Sequence, residues 1–194
     1  MGPLAASGRM PEAVAELAKA AELDPREPSL KANSALLSYF RGHNDEALRE
    51  LLEIGRTDPS LSTARWGIGL AYEQKGMGPE ALASLEQATQ LTKSLNVLAS
   101  LAHAEAVFGQ AAGARKILAQ LEETSRKSYV PSYYFALIYS GLGEKDRAFE
   151  WLERAYQERS TVLAYLRLDP RLEPLRSDPR YADLVRRLGF PTST

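Results

Sequence analysis

The stretch RWGIGLAYEQKGMGPEALASLEQA, residues 65–88, decides the fold. It joins two helical halves across Gly76. Each half carries a small residue where two helices would touch, Gly69 before the turn and Ala81 after it. The pattern recurs in both directions. Gly8, Gly42, Gly76, Gly109 and Gly143 are spaced 34, 34, 33 and 34 residues apart. Five residues after each comes Ala13, Ala47, Ala81, Ala114 or Ala148, and four further on Leu17, Leu51, Leu85, Leu118 or Leu152. Three more give Ala20, Ile54, Ala88, Leu121 and Ala155. A fixed period near 34 residues marks a helical repeat array and overrides any local reading.

Each of the last four glycines is preceded by a helical segment: PSLKANSALLSYFR (28–41), STARWGIGLAYEQK (62–75), LNVLASLAHAEAVF (95–108) and YVPSYYFALIYSGL (129–142). Small residues in these segments pair with the alanines that follow the turn. The expected close contacts are Ala35 with Ala47, Gly69 with Ala81, Ala102 with Ala114, and Ala136 with Ala148. Glycine at the turn admits a positive φ and ends the first helix. Pro11, Asp45, Pro79 and Asp146 are placed to open the second helix as first-turn prolines and N-caps. Asp24-Pro25 and Asp58-Pro59 are placed to stop it.

Composition agrees with an all-helical chain. Leu and Ala dominate the apolar residues of the 194-residue sequence, and the formal net charge of −1 supplies no bulk field for nucleic acid or an anionic membrane. The chain contains no Cys, which excludes disulfides, thiolate catalysis and Cys-based zinc sites. No apolar run approaches the roughly 18 residues that span a bilayer. MGPLAASGRM has no basic segment followed by an apolar one, so it does not read as a signal peptide. A cytoplasmic location is the expectation.

On these residues the chain resembles the tetratricopeptide repeat (TPR) superfamily. Residues 65–88 carry the G-x-x-Y, the turn Gly and the A-x-x-x-L-x-x-A at the family's spacings, and the resemblance runs from residue 8 to about 160. The family's Trp appears one place off as Trp66. Its first-helix Tyr is kept as Tyr72 and Tyr139 and replaced by Ser38 and Glu105. The resemblance implies an all-α fold, a right-handed superhelical solenoid of antiparallel helix pairs forming a single domain over 1–194. Its parts are a half-unit at 8–25, full units at 28–61, 62–94, 95–128 and 129–160, and a C-terminal cap at 161–190.

Residues 8–25 read as a second helix without its partner, which implies either a piece of a longer array or a degenerate first unit, and with the C-terminal cap favours a C-terminal piece of a longer protein. The last stretch, YVPSYYFALIYSGLGEKDRAFEWLERAYQERS with LRLDPRLEPLRSDPRYADLVRRLGF, resembles the end of TPR regions in large bacterial signalling proteins. In those proteins the repeats follow a kinase, winged-helix or cyclase domain. Within the tail, Asp178 is the expected N-cap, Pro179 a first-turn Pro, Leu184, Val185 and Leu188 an apolar face, and Gly189 a stop. A terminal unit with a polar outer side is what a solenoid needs.

The resemblance implies a non-enzymatic protein-interaction scaffold that takes a peptide or protein segment in a concave groove lined by the first helices. The candidate peptide-binding residues are Asn33, Tyr39, Phe40, Trp66, Glu73, Asn96, His103, Tyr133 and Tyr134, because aromatic anchors with a few amide and charged groups suit peptide binding. Several equally suit packing between neighbouring units. TPR domains that grip chaperone C-termini use Lys and Asn on this face. Here the matching places hold Ala32, Leu36, Gly67, Asn96 and Ser100, or Trp66, Leu70, Ser100, Val130 and Tyr134, so that activity is not expected. The alternative function is self-association, through the N-terminal half-unit, or control of a fused effector domain.

No catalytic or phosphate-loop motif occurs, and His43 and His103 lack ligand-spaced partners, so no catalytic residue, metal or cofactor is expected. Arg167, Arg171, Arg176, Arg180, Arg186 and Arg187 interleave with Asp169, Glu173, Asp178 and Asp183, which reads as a mixed, capped surface and not a phosphate site.

Overall fold

The structure is a computed structural model that describes residues 27–189. The expected half-unit at 8–25, with Pro11 and Asp24-Pro25, lies outside the described residues. The described chain is helical, with nine α-helices in the order α1 (Pro28–Phe40), α2 (Asn44–Thr57), α3 (Ser62–Gln74), α4 (Gly78–Leu91), α5 (Leu95–Val107), α6 (Ala111–Ser125), α7 (Ser132–Gly141), α8 (Lys145–Gln157) and α9 (Pro179–Arg187). Two short 3₁₀ helices, Thr161–Tyr165 and Pro170–Leu175, lie between α8 and α9. No strand occurs among the described residues.

The turn glycines do what the period requires. Gly42, Gly76, Gly109 and Gly143 have φ of 83°, 70°, 82° and 74°. At each turn the residue after the glycine donates its N–H to the carbonyl five positions back: His43 to Ser38, Met77 to Tyr72, Gln110 to Glu105 and Glu144 to Tyr139, at 2.7–3.0 Å. This is the Schellman C-cap, which satisfies carbonyls that the helix end leaves open. The position where the family's Tyr gives way to Ser38 and Glu105 contributes its backbone carbonyl here, so the turn survives the change of side chain.

The chain divides into two compact units, residues 1–97 and 98–194, with the division falling inside α5. In the first unit α1 packs on α2, α3 on α4, and α3 also against α1 and α2. Ala35, Ala47, Ala81, Leu51, Leu85, Ile54 and Ala88 are all buried, as the period demands. Burying each leucine contributes about 1.5–3 kcal/mol. Gly69 is a true close approach: a Cβ there would lie 2.5 Å from Leu85 Cγ and 3.2 Å from the Ala81 carbonyl oxygen.

In the second unit α7 packs on α8 and against α6, and the 3₁₀ helix at 170–175 packs on α7. Ala102, Ala114, Ala136, Ala148, Leu118, Leu121, Leu152 and Ala155 are buried. Phe135 and Trp151 stack across α7 and α8 with centroids 4.2 Å apart.

Two local expectations change and one further feature appears. First, α7 starts at Ser132 instead of Tyr129. Pro131 is its N-cap, and a proline disfavours helical backbone at the residue before it. Second, Asp45 and Asp146 are not N-caps. His43 and Glu144 hold those places, neither with a side-chain capping bond. The two carboxylates sit in the first turn and pair instead with Lys75 and with Arg180. Third, α8 ends in the same backbone motif without a glycine. Arg159 adopts φ 52°, with Ser160 N–H bonded to the Ala155 carbonyl at 2.9 Å.

Candidate functional site

The first unit carries five candidates on α1 and α3. Tyr39 is fully buried in the core formed with Ala35, Leu36, Ala47, Leu51 and Ile68. Phe40 meets it edge-on, with centroids 5.0 Å apart and planes at 78°. Phe40 and Trp66 are half-buried and pack on that core. Asn33 is half-buried two turns before Phe40, hence on the same side of α1. Glu73 is 6% exposed. The α1 and α3 helices come close because Gly67 leaves room: a Cβ there would sit 2.8 Å from Leu51 Cδ1 and 3.0 Å from Leu36 Cδ2. On α1 and α3, Asn33, Phe40 and Trp66 are thus the candidates that keep accessible surface, while Tyr39 and Glu73 are interior. Asn96, in the first turn of α5, is half-buried.

The second unit holds the other three, and there the chain itself covers the face. His103 is 3% and Tyr133 2% exposed, while Tyr134 is half-buried. The Tyr133 hydroxyl donates to Asp169 Oδ2 at 3.0 Å. Asp169 belongs to the turn before the second 3₁₀ helix and is 1% exposed. Arg171, 4% exposed, forks onto it: Nε to Oδ1 at 2.8 Å, Nη2 to Oδ2 at 2.8 Å and backbone N–H to Oδ1 at 3.1 Å. Arg171 Nη1 then donates to Ser100 Oγ on α5 at 2.8 Å, and the Arg171 carbonyl accepts from Ser140 Oγ on α7 at 3.3 Å. Burial pushes the Asp169 carboxyl up, but the Arg171 guanidinium and its hydrogen bonds outweigh burial and hold it below the usual carboxylate range. Burial, and then the Asp169 charge, push the Tyr133 hydroxyl well above its ordinary value.

The fork recurs nine residues later. Asp178 accepts from Arg180 N–H at 3.0 Å, from Nε at 3.0 Å and from Nη2 at 2.8 Å. Asp178 is the N-cap of α9, as expected, and its carboxyl is lowered to about 2 by the Arg180 bonds. Both forks are Asp-Pro-Arg turns in which proline fixes φ and the guanidinium folds back on the carboxylate. The second fork is exposed and works on α8: Arg180 reaches Asp146 at 2.9 Å and lies 4.2 Å over the Phe149 ring.

The tail therefore grips the last helix pair from both sides. Between α8 and α9 lies an open groove of about 960 Å³ lined by Asp146, Phe149, Glu153, Arg180, Asp183 and Arg187. Arg187 pairs across it with Glu153 and Arg180 with Asp146, and Arg187 also pairs with Asp183 on its own helix. Arg171, Arg176, Arg180, Arg186 and Arg187 are partnered by carboxylates, as the interleaving suggested, with one correction: Arg171 is interior. The Asp-Pro-Arg repeat, 169–171 and 178–180, was the sequence signal for that interior pair.

Among the described residues no group of three His, Asp or Glu side chains is placed to hold a metal ion, and no helix is long and apolar enough to cross a membrane.

No family model matches the sequence, and no curated protein is similar to it at a significant level. Among solved structures, a tetratricopeptide repeat protein from Parabacteroides merdae aligns over 98% of this chain and 76% of its own, with a TM-score of 0.65 and 18% identity. At that identity the likeness shows the fold alone: the chain has a TPR-like fold of helices packed in adjacent pairs.

Proposed function

We propose that the chain is a non-catalytic interaction scaffold that takes a peptide segment on the first-helix face of its first unit, through Asn33, Phe40 and Trp66. The observation that carries this is that two aromatic side chains and an amide stay half-exposed on the packed first helices α1 and α3, at the margin of a buried core. Aromatic anchors lose little conformational freedom on binding, and an amide can satisfy backbone groups of an extended ligand. Helix-pair repeats of this fold generally serve protein–protein contacts, although a fold does not by itself fix a function. The tail's resemblance to signalling proteins further supports a role as the interaction part of a larger regulatory protein.

The test is selection of binding peptides from a displayed library on the immobilised full chain, followed by calorimetric titration of a selected peptide. Trp66→Ala and Asn33→Ala, each with a wild-type circular dichroism spectrum, are expected to weaken binding about 30-fold or more for the aromatic, the scale of a hot-spot residue. Leu52→Ala, on the exposed side of α2, is expected to leave it unchanged. Equal affinity in all variants contradicts the assignment.

A further inference from the structure

We propose that the first-helix face of the second unit is a receptor for an Asp-Pro-Arg turn, and that the chain's own residues 166–175 fill it as a built-in ligand. The receptor side presents three hydroxyls, Ser100 on α5 with Tyr133 and Ser140 on α7, and the buried His103 of α5 lies within electrostatic reach of Asp169. The ligand side is the Asp169–Arg171 fork, with Leu166, Leu172 and Leu175 buried beside it. The charge pairing is internal to the turn, because Asp169 and Arg171 are two residues apart and bonded through side chain and backbone.

That arrangement has a physical consequence. A salt bridge formed between two separate elements leaves a bare buried charge on each when they part. Here neither partner is stranded. The fork leaves as a neutral pair, and the hydroxyls left behind are easily hydrated. The twin at Asp178–Arg180 keeps the same geometry at an exposed site where Arg180 also meets Asp146 and Phe149, so the fork forms without the hydroxyls of this receptor. The segment is also held by short 3₁₀ turns, the second opened by Pro170 and interrupted by Pro174, which give it little helical cooperativity of its own. The segment therefore behaves as a strap docked by recognition, occupying the surface where His103, Tyr133 and Tyr134 would otherwise meet a partner. This inference is independent of peptide binding on the first unit, and either can fail alone.

Hydrogen exchange of the full wild-type chain reads the strap directly. Amides of residues 163–175 are expected to exchange at least ~10-fold faster than those of Phe135–Tyr139 and Phe149–Leu152, through an opening that leaves those helices protected. One common rate for all three segments overturns the strap. A fluorescein-labelled peptide of residues 163–177 supplies the second reading by anisotropy. It is expected to bind full-length Arg171→Ala at least ~10-fold more tightly than wild type, whose tethered copy competes at an effective concentration of about millimolar. The same peptide carrying Arg171→Ala is expected to bind neither chain. Equal binding to both chains, or none to a folded Arg171→Ala chain, overturns the receptor. If that variant does not fold, the wild-type exchange result decides.

Discussion

Replacing Gly69 by alanine tests the helix-pair packing at its tightest point. The new Cβ would lie 2.5 Å from Leu85 Cγ, 2.9 Å from Leu85 Cδ2 and 3.2 Å from the Ala81 carbonyl oxygen. Carbon atoms rest at about 3.5–4.0 Å, so the contact is short by roughly 1 Å. The atoms met are a buried branch carbon and a helix backbone oxygen, neither of which swings aside. Either α3 and α4 separate or Leu85 leaves its rotamer, at about 1–3 kcal/mol. Alanine recovers about 0.8–1 kcal/mol of helix propensity over glycine. The net expectation is a loss of about 1 kcal/mol.

Gly55, inside α2, is the control. A Cβ there meets the Ile68 Cδ1 tip at 3.2 Å and Arg65 atoms at 3.8 Å, both ends of flexible side chains. Gly55→Ala is therefore expected to gain about 0.5–1 kcal/mol from propensity. Urea unfolding in a Trp151→Phe background, followed by Trp66 fluorescence, reports the first unit alone. With a slope of about 2 kcal/mol per molar, the two midpoints should differ by ~1 M. A Gly69→Ala midpoint at or above that of Gly55→Ala refutes the close approach.

Three further outcomes are expected. Arg171→Ala strips Asp169 of its fork and undocks the strap, which should cost the second unit at most about 3–5 kcal/mol in thermal unfolding, the penalty of a bare buried charge that undocking relieves. Arg159→Gly removes the strain of a left-handed non-glycine residue at the end of α8 and should raise stability by about 1 kcal/mol in the same assay. Acid should release the tail. The folded Asp169 carboxyl is lowered, so its stabilisation is fully present above its ordinary pKa of about 4 and is lost as pH falls through its folded value. Near-ultraviolet tyrosine dichroism should hold above pH ~4 and decline below it, and Asp169→Asn should flatten that decline.

Much of the fold was legible because the repeat writes each contact several times. The turn at Gly76 could be read from Gly42, Gly109 and Gly143, and the small-residue contact at Gly69 from Ala35, Ala102 and Ala136. What recurs once could not be averaged in this way. Asp45 and Asp146 look like N-caps in the sequence, yet each is drawn to a cation from a distant element, Lys75 and Arg180, which no local pattern reveals. The 3₁₀ helices at 161–175 lie where the period lapses and prolines interrupt helical spacing.

The candidate site was less legible for a related reason. Tyr133 and His103 read from the repeat as groove residues, but Tyr133 is bonded to Asp169 of the tail and His103 is buried against Gly141 of α7. Arg171 looks like one more solvated cation until Asp169, two residues before it, neutralises it. Asn33, Phe40 and Trp66 stay accessible because the described chain places no comparable strap on the first unit.

The most direct test of the interaction reading is backbone hydrogen exchange of the full chain with and without a selected peptide. The account predicts added protection in residues 28–40 and 62–74, the α1 and α3 helices, with α2 and α4 unchanged. Protection on α2 and α4, or confined to the second unit, would contradict it.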